Sequence, residues 1–235
     1  MRKFRDLFID FDDTLYDTRG NGEKALSQVY AHFGLHRHFP SEEAFTGPYW
    51  RGSLLLWSDY AQGRVTKDFL MAERFRRPLA LGMGEEPDTD YCLRMNDYFL
   101  NLCAEMPGVV PGAHQLMDYL RAQGYGLHLC SNGFREVQHR KLRASGLQDY
   151  FDTIILSEDA GANKPSADFF RYALRQSGAQ PESTLMIGDN FVTDIQGAKA
   201  AGLAVMFFNR SPQDYQAPEA VDYEINALSE IEHIL

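Results

Sequence analysis

Short apolar runs alternate along the chain with amphipathic stretches, and each run stops abruptly at polar or small residues. Leu7-Phe8-Ile9 stops at Asp10, and Leu127 to Cys130 stops at Ser131-Asn132-Gly133. Thr153 to Leu156 stops at Ser157-Glu158, Leu185-Met186-Ile187 at Gly188-Asp189, and Leu203 to Phe208 at Asn209-Arg210. Between the later runs, helical periodicity predicts helices over Gly112–Gln123, Arg135–Ser145, Ser166–Ser177 and Thr193–Ala201. Strand and helix alternating at this spacing predict an α/β fold, a Rossmann-like parallel sheet covered on both faces. Ligands of such sheets bind beyond the carboxyl ends of the strands. The polar residues that stop the runs are therefore expected to converge on one crevice.

The segment from Tyr16 to Met106 breaks this rhythm and holds no convincing strand. Its periodicity predicts helices around Gly22–Phe33, Ser53–Tyr60, Thr66–Phe75 and Thr89–Cys103, with Gly82 to Pro87 as a helix–helix connection. It is rich in aromatics and carries both tryptophans, Trp50 and Trp57. The pattern predicts a helical bundle, residues 17–106, inserted after the first strand of a core domain made of residues 1–16 and 107–235. A domain inserted there is expected to cover the crevice.

Composition narrows the functions. The 235 residues include 23 Lys plus Arg against 33 Asp plus Glu, a formal net charge of -10. With no basic excess to release counterions from a phosphate backbone, a nucleic-acid polymer is not an expected partner. A small anion is still possible, because a local site can be positive on an acidic protein. Cys92, Cys103 and Cys130 match neither a disulfide framework nor a thiolate zinc site, and are expected to be buried free thiols in a reducing compartment. The opening MRKFRDLFID has too short an apolar stretch for a signal peptide, and no run is long enough to span a membrane. A cytoplasmic location is the expectation; the oligomeric state, monomer or dimer, stays open.

Four clusters carry candidate chemistry. Asp10 and Asp12 fall two apart where the first strand gives way to loop, and two carboxylates this close repel unless a cation relieves them. Asp189 and Asp194 form a second acidic pair after the fourth run; with Asp10 they offer the hard oxygen ligands that suit Mg²⁺. Ser131 and Asn132, followed by a helix start near Arg135, suggest an anion pocket of hydroxyl, amide and backbone N–H groups. Lys164, in Asn163-Lys164-Pro165, is placed to clamp a phosphate and balance Asp10.

In this order the clusters resemble the motifs of the haloacid dehalogenase superfamily of phosphotransferases. The first is the strand and Asp10-Phe11-Asp12-Asp13-Thr14, the second Ser131, the third Lys164, the fourth Gly188-Asp189 with Asp194. The insertion resembles the family's helical cap of the first class. Ser131-Asn132-Gly133-Phe134, Ser157 to Gly161, Leu56-Trp57 with Tyr60 and Gly63, and Ile225 to Leu235 are similar to the bacterial house-cleaning pyrimidine 5'-nucleotidases.

The resemblance implies a Mg²⁺-dependent phosphomonoester hydrolase with Asp10 as covalent nucleophile. It implies Asp12 as general acid–base whose backbone carbonyl reaches the metal, and Asp189 and Asp194 as metal ligands. Ser131 and Lys164 would hold the transferring oxygens, and Thr14 would fix the loop that aims Asp12. With Asp12 and Asp189 both present, dehalogenation is not expected. The implied substrate is a nucleoside 5'-monophosphate, with Phe45, Trp50, Trp57 and Tyr60 available to stack a base and Arg51 to meet a polar ring edge. The alternatives are a sugar-phosphate or phosphoglycolate phosphatase, a phosphomutase, or a binding module without chemistry.

Overall fold

The computed structural model describes residues 3–210 and 220–235. The chain divides into two compact units, Met1–Asp17 with Pro107–Leu235, and Thr18–Met106. The first is the α/β core. Its elements in chain order are β1 (Asp6–Ile9), then after the insertion α5 (Ala113–Gln123), β2 (Gly126–Ser131), α6 (Arg135–Ala144), β3 (Thr153–Leu156) and the short α7 (Ser157–Ala160). There follow α8 (Ala167–Ser177), β4 (Thr184–Gly188), a π-helical turn over Phe191–Gln196, the short α9 (Gly197–Ala200), β5 (Ala204–Phe208) and β6 (Tyr223–Ile225).

Among the described residues the sheet has six strands, all parallel, in the order β3-β2-β1-β4-β5-β6. β1 is central, flanked by β2 and β4, so its carboxyl end lies at the point where the strand order reverses. The register sets Phe8 beside His128 and Met186, on one face of the pleat. On that side Phe8, Cys130, Ile155 and Met186 pack with Phe169, Phe170 and Ala198 from α8 and α9. Leu7, Ile9, Leu129 and Ile187 point the other way and are equally buried. A sheet buried on both faces explains why its strands read as unbroken apolar runs.

The second unit is the helical cap domain inserted after β1. It consists of α1 (Thr18–His32), α2 (Glu42–Ala61), α3 (Lys67–Met83) and α4 (Thr89–Glu105). Ser41, Thr66 and Asp88 cap α2, α3 and α4 by accepting from the backbone N–H three residues on. The core of this unit is Leu26 and Val29, Phe45 and Tyr49, Phe75 and Leu79, and Met95 and Phe99, one pair from each helix. All three cysteines are free and buried.

The predicted elements differ from the structure in four places. The helix expected around Ser53–Tyr60 starts earlier, at Glu42, and runs through Pro48; Pro48 costs one backbone hydrogen bond, and burial of Phe45, Tyr49 and Leu56 offsets that at about 1.5–3 kcal/mol each. α3 likewise continues past Phe75 through Pro78 to Met83. The single helix expected over Thr193–Ala201 is a π-helical turn followed by one turn of α-helix. β6 has only three residues, one of them exposed, too little apolar pattern to signal a strand.

Candidate active site

The β1 strand continues into Asp10, whose N–H donates to Ile187 O at 2.9 Å. The chain then turns tightly. Asp13 takes φ 62°, a left-handed conformation that aspartate tolerates better than most residues. Leu15 and Tyr16 both donate backbone N–H to Phe11 O, at 3.0 and 2.9 Å. This turn brings Thr14 back over the strand end, where its buried Oγ1 lies 3.1 Å from Asp10 Oδ2 and 3.2 Å from Asp189 Oδ1. Thr14, expected to fix the loop that aims Asp12, bridges Asp10 and Asp189.

Asp189 follows β4, and Asp194 lies on the π-helical turn after it. Asn190 Oδ1 caps that turn by accepting from Val192 and Thr193 N–H. Asp194 is 1 % exposed, with Oδ2 accepting from Asn190 N at 3.1 Å. A Cβ at residue 188 would run into this carboxylate, so Gly188 lets Asp194 fold back against the end of β4. Carboxylate oxygens of Asp10, Asp189 and Asp194 all lie within 4.8 Å of one another.

Lys164 is buried among them. Its Nζ donates to Asp10 Oδ1, Asp194 Oδ1 and Cys130 O, each at 2.7 Å, which uses all three ammonium protons. Burial alone would lower its pKa, but Asp10 and Asp194 outweigh burial and hold it protonated. Asn132 fixes this lysine from behind: its Oδ1 accepts from Lys164 N at 2.8 Å and its Nδ2 donates to Lys164 O at 2.9 Å. The amide expected to contact an anion is thus committed to the lysine backbone. The anion pocket expected at the start of α6 is also altered, since Arg135 N–H donates to Glu158 Oε2 at 2.8 Å.

Ser131 ends β2 and is 1 % exposed. Asp12 is not one of the three clustered carboxylates and is held from α6: its Oδ1 is 2.6 Å from Lys141 Nζ and its Oδ2 is 2.6 Å from Gln138 Nε2. Gln138 and Lys141 belong to no motif named above, and an i, i+3 pair on a helix is too common a spacing to signal a site. In the cap unit Phe45 is fully buried within the core, which corrects its expected availability to a base. The Trp50 ring is covered by the Arg19 guanidinium, 4.2 Å from its centroid, and meets Tyr49 edge-on. Arg51 is exposed, while Trp57 and Tyr60 are half-buried and meet edge-on at 5.7 Å.

The electrostatics call for a cation beyond Lys164. Burial pushes the Asp10 carboxyl up to about 7; Asp194 and Asp12 add repulsion while Lys164 pulls the other way. Burial also holds Asp189 well above the ordinary range, with Asp10, Asp194 and Asp13 adding repulsion. Thr14 has one proton to share between Asp10 and Asp189, and no Lys, Arg or His pairs with Asp189 among the described residues. Three clustered carboxylates with one ammonium among them are the donor set of a hard divalent cation such as Mg²⁺.

A pH-dependent response to Mg²⁺ follows. Without metal, Asp10 and Asp189 hold protons more tightly folded than unfolded, so the native state binds more protons and stability falls as pH rises from about 4 through about 7. Added Mg²⁺ binds the ionised cluster and should raise the melting temperature more at about pH 8 than at about pH 5. Thermal melts in EDTA and in Mg²⁺ at both pH values check this; a larger Mg²⁺ effect at the lower pH contradicts it.

Comparison with known proteins agrees with this geometry. Residues 7–202 match the family described as haloacid dehalogenase-like hydrolase. The chain is 31% identical to the pyrimidine 5'-nucleotidase YjjG of Escherichia coli, over 97% of this chain and 96% of that protein. It is 30% identical to a glyceraldehyde 3-phosphate phosphatase of Methanothermobacter thermautotrophicus, over 97% and 98% of the two chains. A crystal structure of the HAD-hydrolase YfnB from Bacillus subtilis bound to magnesium superposes with a TM-score of 0.87 at 30% identity, covering 100% of this chain and 99% of that one.

Proposed function

Because the chain belongs to the haloacid dehalogenase-like hydrolases, we propose that it hydrolyses a nucleoside 5'-monophosphate through an aspartyl-phosphate on Asp10, with Mg²⁺ as cofactor. The observation that carries the chemistry is the cluster itself: a buried carboxylate at the end of the central strand, clamped by Lys164 and facing two further carboxylates. Bound Mg²⁺ would be held by Asp10, Asp189 and Asp194, with the Asp12 carbonyl as a further ligand, and would supply positive charge to offset that of Asp10 and of the phosphoryl oxygens.

The chain's own groups perform the rest. Asp10 attacks phosphorus as the bond to the leaving oxygen breaks, and Asp12 gives that oxygen its proton. Asp12 then takes a proton from water as the water oxygen attacks the aspartyl-phosphate. This releases inorganic phosphate and restores both carboxyl groups. Ser131 donates its hydroxyl proton to a phosphoryl oxygen, and the Lys164 ammonium faces the negative charge that builds up beside Asp10.

The nucleotide reading is supported by the likeness to the pyrimidine 5'-nucleotidase YjjG. A triose-phosphate substrate is the second reading, favoured by the likeness to the Methanothermobacter phosphatase. Release of inorganic phosphate is measured with Mg²⁺ from pyrimidine and purine 5'-monophosphates, sugar phosphates, triose phosphates and phosphoglycolate. Pyrimidine monophosphates are expected to give the highest kcat/KM; a triose or sugar phosphate ahead of every nucleotide would overturn the nucleotide reading and leave the phosphatase reading standing.

A further inference from the structure

Asp12 is gripped by two side chains of α6, one for each carboxylate oxygen. Lys141 Nζ reaches Oδ1 and Gln138 Nε2 reaches Oδ2, both at 2.6 Å. Gln138 is fully buried and Lys141 is 8 % exposed, so water competes little for either. One turn separates them on the helix, which puts them on a common face. Lys141 also lies over the Tyr16 ring, 4.9 Å from its centroid, and Tyr16 stacks on Phe11 at 5.3 Å. The turn that carries Asp12 thus also fixes the ammonium that holds it.

Gln138 does a second job. Its Nε2 lies 2.6 Å from Ser131 Oγ, and that oxygen also accepts from Gly133 N at 3.1 Å. With both lone pairs of Oγ engaged, the serine can only send its proton outward. Gln138 Oε1 is buried with no hydrogen-bond partner, an arrangement that costs stability. Turning the amide over would set that oxygen against the Asp12 carboxylate, so the orientation is imposed by Asp12 and Ser131. A Cβ at residue 133 would run into the Gln138 amide, and Gly133 removes that obstacle.

We infer that Gln138 and Lys141 are positioning residues of the active site: together they hold the Asp12 carboxylate for proton transfer, and Gln138 turns Ser131 into a hydrogen-bond donor. The inference rests on the reading of Asp12 as the acid–base group. It makes the loss in a Lys141 variant depend on the leaving group. An alkoxide needs a proton as it departs, whereas p-nitrophenolate leaves without one. Because kcat/KM reports the steps through departure of the leaving group, it separates these cases even where hydrolysis of the aspartyl-phosphate limits turnover.

The test compares kcat/KM for p-nitrophenyl phosphate and for the fastest alkyl phosphate of the panel, in the parent, Lys141→Met, Lys141→Arg, Gln138→Leu and Asp12→Asn. Lys141→Met is expected to lose about 10²-fold on the alkyl ester and less than about 5-fold on the aryl ester, with Lys141→Arg recovering about 10-fold of the alkyl loss. Gln138→Leu is expected to lose on both esters, more on the alkyl one, because Ser131 serves both. If Asp12→Asn discriminates between the esters but Lys141→Met loses equally on both, or on neither, the positioning role is overturned and the acid–base reading survives. If Asp12→Asn itself shows no discrimination, the acid–base reading fails and takes the inference with it. Rescue by Arg separates positioning from a structural role, since a folding defect would lower both esters alike.

Discussion

Asp10→Asn is expected to cut phosphomonoester turnover by at least about four orders of magnitude and to leave the fold no less stable than the parent in metal-free buffer. An amide oxygen is a poor nucleophile toward phosphorus and cannot form the acyl phosphate, so the two-step route closes. What survives is binding and electrostatic stabilisation, which do not replace a covalent route. The stability expectation has a separate cause. Burial pushes the Asp10 carboxyl up to about 7, so above that pH the parent holds a charge its surroundings resist. Asparagine has the same shape without the charge, and Lys164 keeps Asp194 and Cys130 O as partners. The Mg²⁺-induced rise in melting temperature should shrink, because one of three clustered carboxylates is gone. Phosphate release and melts with and without Mg²⁺ check both halves. Turnover near the parent's would sink the covalent scheme, and a metal-free melt well below the parent's near pH 8 would sink the account of the buried charge.

The fold was readable because its strands are buried on both faces and its functional residues stop them. Asp10, Ser131 and Asp189 are conspicuous only because each ends an apolar run at the carboxyl edge of the sheet. Lys164 has no such run before it, and what marked it was its place among the other motifs. Gln138 and Lys141 were beyond reach from the chain alone. Their partner Asp12 lies 126 and 129 residues away, and only the parallel pairing of β1 with β2 brings α6 beside it. Asn132 shows the opposite failure: its chemistry was read correctly as hydrogen-bonding, but its partner is the backbone of Lys164. In the cap, Phe45 shows why aromatics are hard to read as ligand contacts. Phe45 and Trp50 are as useful to a helical core as to a ligand, and α2 also carries exposed apolar residues, Leu54 and Leu55, so its pattern does not single out the inward face.

Lys164→Met is the second substitution with a large expected effect, and there the loss falls on stability as well as rate. The ammonium is 2 % exposed and joins Asp10, Asp194 and the Cys130 carbonyl. Methionine fills much of the volume but satisfies none of them. Removing one partner from a buried ion pair costs about 3–5 kcal/mol, because the other charge stays behind without compensation. In a chain of this size that corresponds to a melting temperature lower by roughly 6–20 °C.

The deficit should vary with pH in a definite direction. Lys164 is the group that pulls the Asp10 carboxyl down, so without it Asp10 keeps its proton to higher pH than in the parent. A carboxyl whose folded pKa is raised costs stability as pH climbs through that pKa, so the gap between variant and parent should be wider at about pH 8 than at about pH 5. Mg²⁺ should narrow the gap at the higher pH, since the metal supplies positive charge to the same three carboxylates. Turnover should stay low even with the fold restored by Mg²⁺, because the fixed positive charge beside Asp10, where negative charge builds up in phosphoryl transfer, is missing. Melts of parent and variant at both pH values, each with EDTA and with Mg²⁺, separate the contributions. A variant that melts within about 2 °C of the parent at pH 8 in EDTA would show that Lys164 is not the counter-charge of this cluster. A deficit that widens toward acid would show that the carboxylates beside it are not the groups it serves.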